Sequence, residues 1–96
     1  MKRFMLLHYG FEKPTPEIME AWSQWFQSIA DRSLENGGFH GGAREISREG
    51  SRDLPMNMDA ITGYSIIKAD SLEEAEQVAR ENPFIASIRV YEISEH

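Results

Sequence analysis

The chain has 96 residues, a formal net charge of −6 and no cysteine, and 41% of its residues are hydrophobic. A chain of this length holds one domain, residues 1–96, and its shortage of basic residues excludes a nucleic-acid binder, which needs a positive face to release counterions from phosphates. The lack of cysteine excludes disulfides. No apolar run forms a secretory signal, and none approaches the roughly 20 residues that span a bilayer. We therefore expect a cytoplasmic protein without membrane contacts.

The first predicted strand is Arg3–Tyr9, a short apolar run that stops at Gly10. Strand alternation puts Phe4, Leu6 and His8 on one face. The other face also carries large apolar groups, namely Met5, Leu7 and Tyr9. A strand that is buried on one side only would alternate with polar residues, so we expect both faces of this strand to be covered.

The first helix is predicted to begin after Thr15, whose side chain can cap it, with Pro16 at the first helical position. Apolar residues then recur at three- and four-residue spacing and form one stripe: Ile18, Trp22, Trp25, Phe26, Ile29 and Ala30. We place the helix end about 20 residues on, at Asn36–Gly37–Gly38, with Gly37 as a left-handed residue. The aromatic stripe fits core packing, or alternatively a site that stacks on a ring-shaped ligand.

The middle of the chain is predicted as a second strand, Phe39–Glu49, followed by a loop, Gly50–Asp59. Gly41 and Gly42 fall near the start of that strand, where glycine often marks a bulge or a close backbone approach. Each arginine of this region is followed directly by an acidic residue, which is typical of a solvated mixed-charge segment. The alternative is an anion site formed by Arg44, Arg48 and Arg52.

The second half of the chain gives clearer signals. A third strand is predicted at Ala60–Ala69, with Tyr64 and Ser65 on opposite faces. Ser71 and Glu74 fit a capping box that opens the second helix. The inner stripe of this helix is small enough for close approach to a sheet: Leu72, Ala75, Val78 and Ala79. Pro83 stops the helix, and the last strand follows at Ile88–Ser94.

The predicted element order is β-α-β-β-α-β, the ferredoxin-like pattern of the α+β class. Right-handed crossovers place both helices on one face of a four-stranded antiparallel sheet. The other face stays open and carries apolar residues, and an exposed apolar face of this kind marks an interface. We therefore expect a homodimer that packs sheet against sheet.

The residues also resemble a known family. The opening MKRFMLLHYG is similar to the start of YCII-related (DGPF-type) proteins, and the run TGYSIIKADSLEEAEQVARENPFIASIRVYEI resembles the second half of that family. The likeness covers most of the chain apart from the middle loop. It implies a dimeric α+β barrel, the superfamily that also holds muconolactone isomerases and small cofactor-free monooxygenases.

The family's own site residues do not carry over. Some members have a histidine–aspartate pair with the histidine on the first helix, where this chain has Trp25 or Phe26. The Asp-Gly-Pro-Phe motif of the other branch is replaced by Arg52–Asp53–Leu54–Pro55. The family resemblance therefore implies no catalytic residue at these positions.

The chain's own polar groups give a different set of candidates. His8 is the sharpest, since a histidine at the mouth of a helix–sheet cleft could move a proton to or from a substrate, with Asp59 orienting it. The alternative is a structural histidine bonded to a backbone carbonyl. Further candidates for contacting a substrate are Trp22, Trp25, Arg44 and Tyr64, while His40 fits a surface position. The histidine spacing does not match a metal site, and we expect neither a metal nor a cofactor.

Two classes of function remain open. The first is a small cofactor-free enzyme, of lyase or isomerase type, that transfers a proton on a compact, partly aromatic metabolite with His8 as acid or base. The second is a non-catalytic homodimer that binds a small molecule or a protein partner. The position of His8 separates them, because a catalytic His8 must face a cavity rather than a filled core or a dimer seam.

Overall fold

The computed structural model describes residues 1–94 and contains two helices and six strands within that range. We label the elements in chain order: β1 Lys2–Tyr9, α1 Pro16–Ser28, β2 Ser33–Gly38, β3 Ala43–Ser47, β4 Gly50–Leu54, β5 Ile61–Ala69, α2 Leu72–Arg80 and β6 Ser87–Glu92. Neither helix in this part of the chain is long and apolar enough to cross a membrane.

Four of the strands form an antiparallel sheet in the order β2-β5-β1-β6, and β3 and β4 form a separate hairpin. The central strand β1 pairs with β5 on one side and with β6 on the other. Removing the hairpin leaves β-α-β-β-α-β with both helices on one face. The ferredoxin-like α+β arrangement that the pattern predicts is therefore confirmed.

The two faces of the sheet differ in burial, as the alternation in β1 predicts. Phe4 and Leu6 are fully buried under the helices, whereas Met5 and Leu7 on the other face are only partly buried. The core cluster beneath the helices joins β1 to Ile67 of β5 and to both helices. Within residues 1–94, no helix covers the second face of the sheet.

The two helices lie at different distances from the sheet because their inner residues differ in size. Ala75 and Ala79 of α2 are buried, and the α2 backbone comes within 8 Å of β1, β5 and β6. No Cα atom of α1 lies within 8 Å of a Cα atom in any other helix or strand. Trp25 reaches across this gap to the core cluster. Leu72, which we placed in the inner stripe of α2, is instead exposed.

The predicted end of the first helix is wrong. Helix α1 ends at Ser28, and residues 33–38 form the edge strand β2. Gly37 has no positive φ and pairs with Tyr64 of β5. The sequence Asn36–Gly37–Gly38 looks like a helix stop, but the backbone of β5 offers these residues a ladder of hydrogen bonds that local propensity does not reveal.

The middle segment also differs from the prediction of one strand and one loop. Gly41 and Gly42 have φ of 117° and 72° and lie in the turn before β3, outside any strand. The hairpin β3–β4 runs from Ala43 to Leu54, and every one of its strand residues is exposed. Its ion pairs lie across the two strands, with Arg44 on Asp53 and Arg52 on Glu45.

One half of the predicted capping box is present at the start of α2, and in the other half Glu74 binds the N–H of Asp70 instead of that of Ser71. The Ser71 side chain accepts a hydrogen bond from the backbone N–H of Glu74 at 3.1 Å. The Glu74 carboxylate reaches back to the N–H of Asp70 at 3.1 Å and also binds Arg32 at 2.8 Å. These hydrogen bonds hold the pKa of Glu74 below its ordinary value, the Arg32 bond having the largest effect.

Candidate functional site: an aromatic cleft beside His8

The distance between α1 and the sheet leaves a cleft of about 930 Å³. One wall is the aromatic stripe of α1, and the other is formed by the ends of β1, β2 and β5. The residues that define these walls are His8, Trp22, Phe26, Phe39, Thr62 and Gly63. The lining is mostly apolar, which is typical of a small-molecule site with a few polar groups.

His8 lies at the inner wall of this cleft. It sits on the helix-facing side of β1, opposite Gly63 of β5, and only 4% of its surface is exposed. Its Nε2 lies 3.2 Å from the hydroxyl of Ser65, which is itself fully buried. Its Nδ1 is buried and has no hydrogen-bond partner. A buried ring nitrogen without a partner is costly, and it leaves one hydrogen-bonding group of the imidazole unused.

Aromatic rings surround the imidazole of His8. The ring centroid lies 5.0 Å from that of Trp22 and 6.0 Å from that of Trp25, and both pairs meet edge to face. Burial removes water from the charged form of the imidazole and lowers the pKa of His8 from 6.5 to about 4. At neutral pH the ring is therefore uncharged, with one nitrogen as donor and the other as acceptor.

The two tryptophans have different positions. Trp22 is partly buried and lines the cleft. Trp25 is 3% exposed, belongs to the core, and donates from Nε1 to the backbone carbonyl of Val78 on α2 at 3.2 Å. Trp22 is therefore placed to touch a ligand, whereas Trp25 joins α1 to α2 and supports the ring of His8.

Tyr64 borders the cleft, but its side chain lies on the opposite face of the sheet from His8. The register pairs His8 with Gly63, and Tyr64 with Leu7. The Tyr64 hydroxyl donates to the carboxylate of Glu35, and this bond raises the pKa of Tyr64. The ring also stacks on Phe39 with centroids 5.9 Å apart. Tyr64 thus shapes the β2 edge and has no contact with the His8 imidazole.

The structure does not bring Asp59 or Arg44 to His8. Asp59 is exposed in the loop before β5, outside the cleft lining, and Ser65 occupies the place beside the imidazole that we expected Asp59 to take. Arg44 lies on the hairpin, where it pairs with Asp53 at 3.0 Å. This ion pair fits the mixed-charge alternative for the segment.

The sequence prediction named neither Ser65 nor Phe39 as a neighbour of the cleft, and it favoured a surface position for His40, which is exposed and also lines the cleft. Ser65 could have been found, because alternation along β5 places it on the same face as Ile67 and that face meets the helices. Phe39 could not, because it reaches the cleft only through the unpredicted strand β2. In residues 1–94, no three His, Asp or Glu side chains lie close enough together to hold a metal ion.

These features define an α+β ferredoxin-like domain with an apolar, aromatic-walled cleft between its first helix and its sheet. Among solved structures, the chain is similar to the 5-chloro-2-hydroxyhydroquinone dehydrochlorinase TftG from Burkholderia phenoliruptrix AC1100, determined in complex with 2,5-dihydroxybenzoquinone. The TM-score is 0.60 and the sequence identity 11%, over 98% of this chain and 95% of that chain. At this identity the similarity shows the fold alone. No protein-family model and no curated protein sequence matches the chain.

Proposed function

We propose that the protein is a small enzyme that transfers a proton on a compact cyclic metabolite held in the aromatic cleft, with His8 as the proton carrier. The observation that carries this proposal is the unpartnered Nδ1 of a buried histidine at the wall of a cleft large enough for a ligand. The similar solved structure supports it at the level of fold, since that protein is a dehydrochlorinase bound to a quinone.

The hydrogen bond between His8 and Ser65 allows both directions of transfer. When Nε2–H donates to the Ser65 hydroxyl, Nδ1 carries a lone pair and accepts a proton from the ligand. The imidazolium that forms then returns the proton to another atom of the same ligand, so the step needs no co-reactant. Negative charge that develops on the ligand beside the ring raises the pKa of His8 toward neutrality and favours this transfer.

Trp22 and Ser65 have supporting roles in this proposal. The Trp22 ring meets His8 edge to face and lies on the ligand side, where it would hold a flat molecule against the imidazole. Ser65 fixes the orientation of the imidazole from behind. Asp59, Arg44 and Tyr64 receive no role in proton transfer, because none of them reaches His8.

The test is a screen of cyclic metabolites for thermal stabilisation of the protein and for change in absorbance or NMR spectrum. A ligand that is turned over by the wild type should lose about 10²-fold or more in rate with His8→Gln, which keeps a polar buried side chain. Asp59→Asn, at an exposed position outside the cleft lining, is the control and should retain full rate. Stabilisation by a ligand that neither protein converts would favour the second class, a non-catalytic binding module.

We also propose that the chain forms one YCII-related domain over residues 1–96 and assembles as a homodimer through the open sheet face. This face carries Met5, Leu7, Ile66 and Tyr91, of which Tyr91 is 51% exposed. A second copy offers the same apolar surface, so a two-fold axis buries both faces at once. The absence of cysteine supports the cytoplasm as its compartment.

A further inference from the structure

The chain has ten lysine and arginine residues, but their positive charges lie away from the cleft. None of the residues that line the cleft, all of which lie in the described range, is lysine or arginine. Glu12 is the one acidic residue in the lining, Gln27 and Asn36 carry no charge, and His8 and His40 are its two titratable bases. The cleft therefore holds no fixed positive charge to balance a carboxylate or a phosphate.

Two of the three groups that could attract an anion, the start of α1 and His8, are occupied or neutral, and the third, His40, is an exposed side chain whose charge water and salt would screen. The start of α1 borders the cleft, but the N–H of Ile18 already donates to the Thr15 side chain at 3.2 Å. His8 could pair with an anion only as imidazolium, and burial lowers its pKa to about 4. At pH 7 about one ring in 1,000 would be charged.

We propose that the cleft selects uncharged planar molecules and rejects their carboxylate analogues. This inference rests on the proposed function and names the substrate class of the same site. An anion that enters the cleft gives up its hydration for an apolar wall, and burying an unpaired charge is far more costly than burying a neutral amide that can be hydrogen-bonded. Aromatic ring faces, which carry partial negative charge, add to the penalty at Trp22, Phe26 and Phe39.

Two ligand pairs that differ only in charge test this selectivity. We would titrate the protein at pH 7.5 with 2-naphthamide and 2-naphthoate, and with benzamide and benzoate, and follow tryptophan fluorescence. The neutral member of each pair should bind at least about tenfold more tightly than the carboxylate. Equal affinities, or tighter binding of the carboxylates, would overturn the selectivity and leave the proposed enzyme intact. No binding of any of the four molecules would overturn both.

A single added charge gives a matched second test. Gln27 lines the cleft and Gln24 lies on the same helix outside the lining, and both are exposed. Gln27→Lys should raise the affinity for naphthoate about tenfold and leave naphthamide unchanged, whereas Gln24→Lys should change neither. If the two variants affect naphthoate equally, the charge of the cleft wall does not control selection and the proposal fails.

Discussion

His8 shows how a strand residue of ordinary sequence becomes chemically unusual through its surroundings. Alternation along β1 correctly predicts that it shares the helix-facing side with Phe4 and Leu6. The sequence could not show that Ser65 would lie beside its Nε2, because that contact depends on the register between β1 and β5. The neutral imidazole and the free Nδ1 follow from this packing rather than from any motif.

Burial of His8 makes the stability of the protein depend on pH. Its folded pKa of about 4 lies below the ordinary value of 6.5, so the unfolded chain binds the extra proton between these values. The contribution of the neutral His8 ring to the free energy of unfolding is therefore fully present above pH 6.5, and it is lost as the pH falls toward 4. We expect a total loss of about 3 kcal/mol from this group.

Urea denaturation at pH 7 and pH 5 checks this expectation. The free energy of unfolding of the wild type should fall by about 2 kcal/mol more than that of His8→Gln between these two values. His40→Gln, which changes an exposed histidine, should follow the wild type. Parallel pH curves for the wild type and His8→Gln would show that the imidazole is not held neutral by burial.

At the scale of elements, the strands and helices with strong patterns were predictable and the edge strand β2 was not. The Ser71 cap of α2 and the alternation in β5 are local signals, and both are confirmed. Strand β2 has the sequence SLENGG, which contains poor strand formers and two glycines. Its strand conformation depends on pairing with β5, so no window of sequence could reveal it.

The contact between Gly37 and Tyr64 explains why a weak strand former is tolerated in β2. The Tyr64 ring lies over Gly37, and a Cβ at that position would be 2.9 Å from Cζ of the ring. The ring cannot move freely, because it stacks on Phe39 and its hydroxyl binds Glu35. An aromatic side chain that covers a cross-strand glycine is a recurrent way of stabilising sheet edges.

This contact predicts that the effect of Gly37→Ala on the free energy of unfolding depends on the Tyr64 ring, which a double-mutant cycle can measure. Gly37→Ala should destabilise the wild type by about 1–3 kcal/mol because it displaces a packed ring. In a Tyr64→Thr background the same change should be neutral or should stabilise by about 0.4–1 kcal/mol, since alanine restricts the unfolded chain. Chemical denaturation of the four proteins measures the coupling. An equal loss in both backgrounds would mean that the ring does not require glycine.

At the scale of the whole molecule, the β-α-β-β-α-β order fixed the sheet topology, while the hairpin β3–β4 was missed. The hairpin approaches no other helix or strand in the described chain. Its residues alternate opposite charges and are all exposed, so they leave no apolar pattern to detect. The open sheet face, by contrast, was visible in the apolar residues on both sides of β1.

The proposed dimer can be tested by analytical ultracentrifugation. The wild type should sediment at twice the chain mass of 11.0 kDa. Leu7→Lys places a charge in the middle of the open face and should give monomers, because an unpaired charge would be buried at the interface. Leu72→Lys makes the same change at an exposed position on α2 and should stay dimeric. A wild type that remains monomeric at millimolar concentration would refute the assembly.

The most direct test of the account is proton exchange on a ligand bound in the cleft. A ligand identified by the screen would be incubated in D₂O with the wild type, His8→Gln or Asp59→Asn, and its ¹H NMR spectrum followed over time. We predict that the wild type and Asp59→Asn replace one carbon-bound hydrogen of the ligand by deuterium, and that His8→Gln does so at least about 10²-fold more slowly while still binding the ligand. Equal exchange with His8→Gln, or no exchange with any of the three proteins, would contradict the role of His8 as proton carrier.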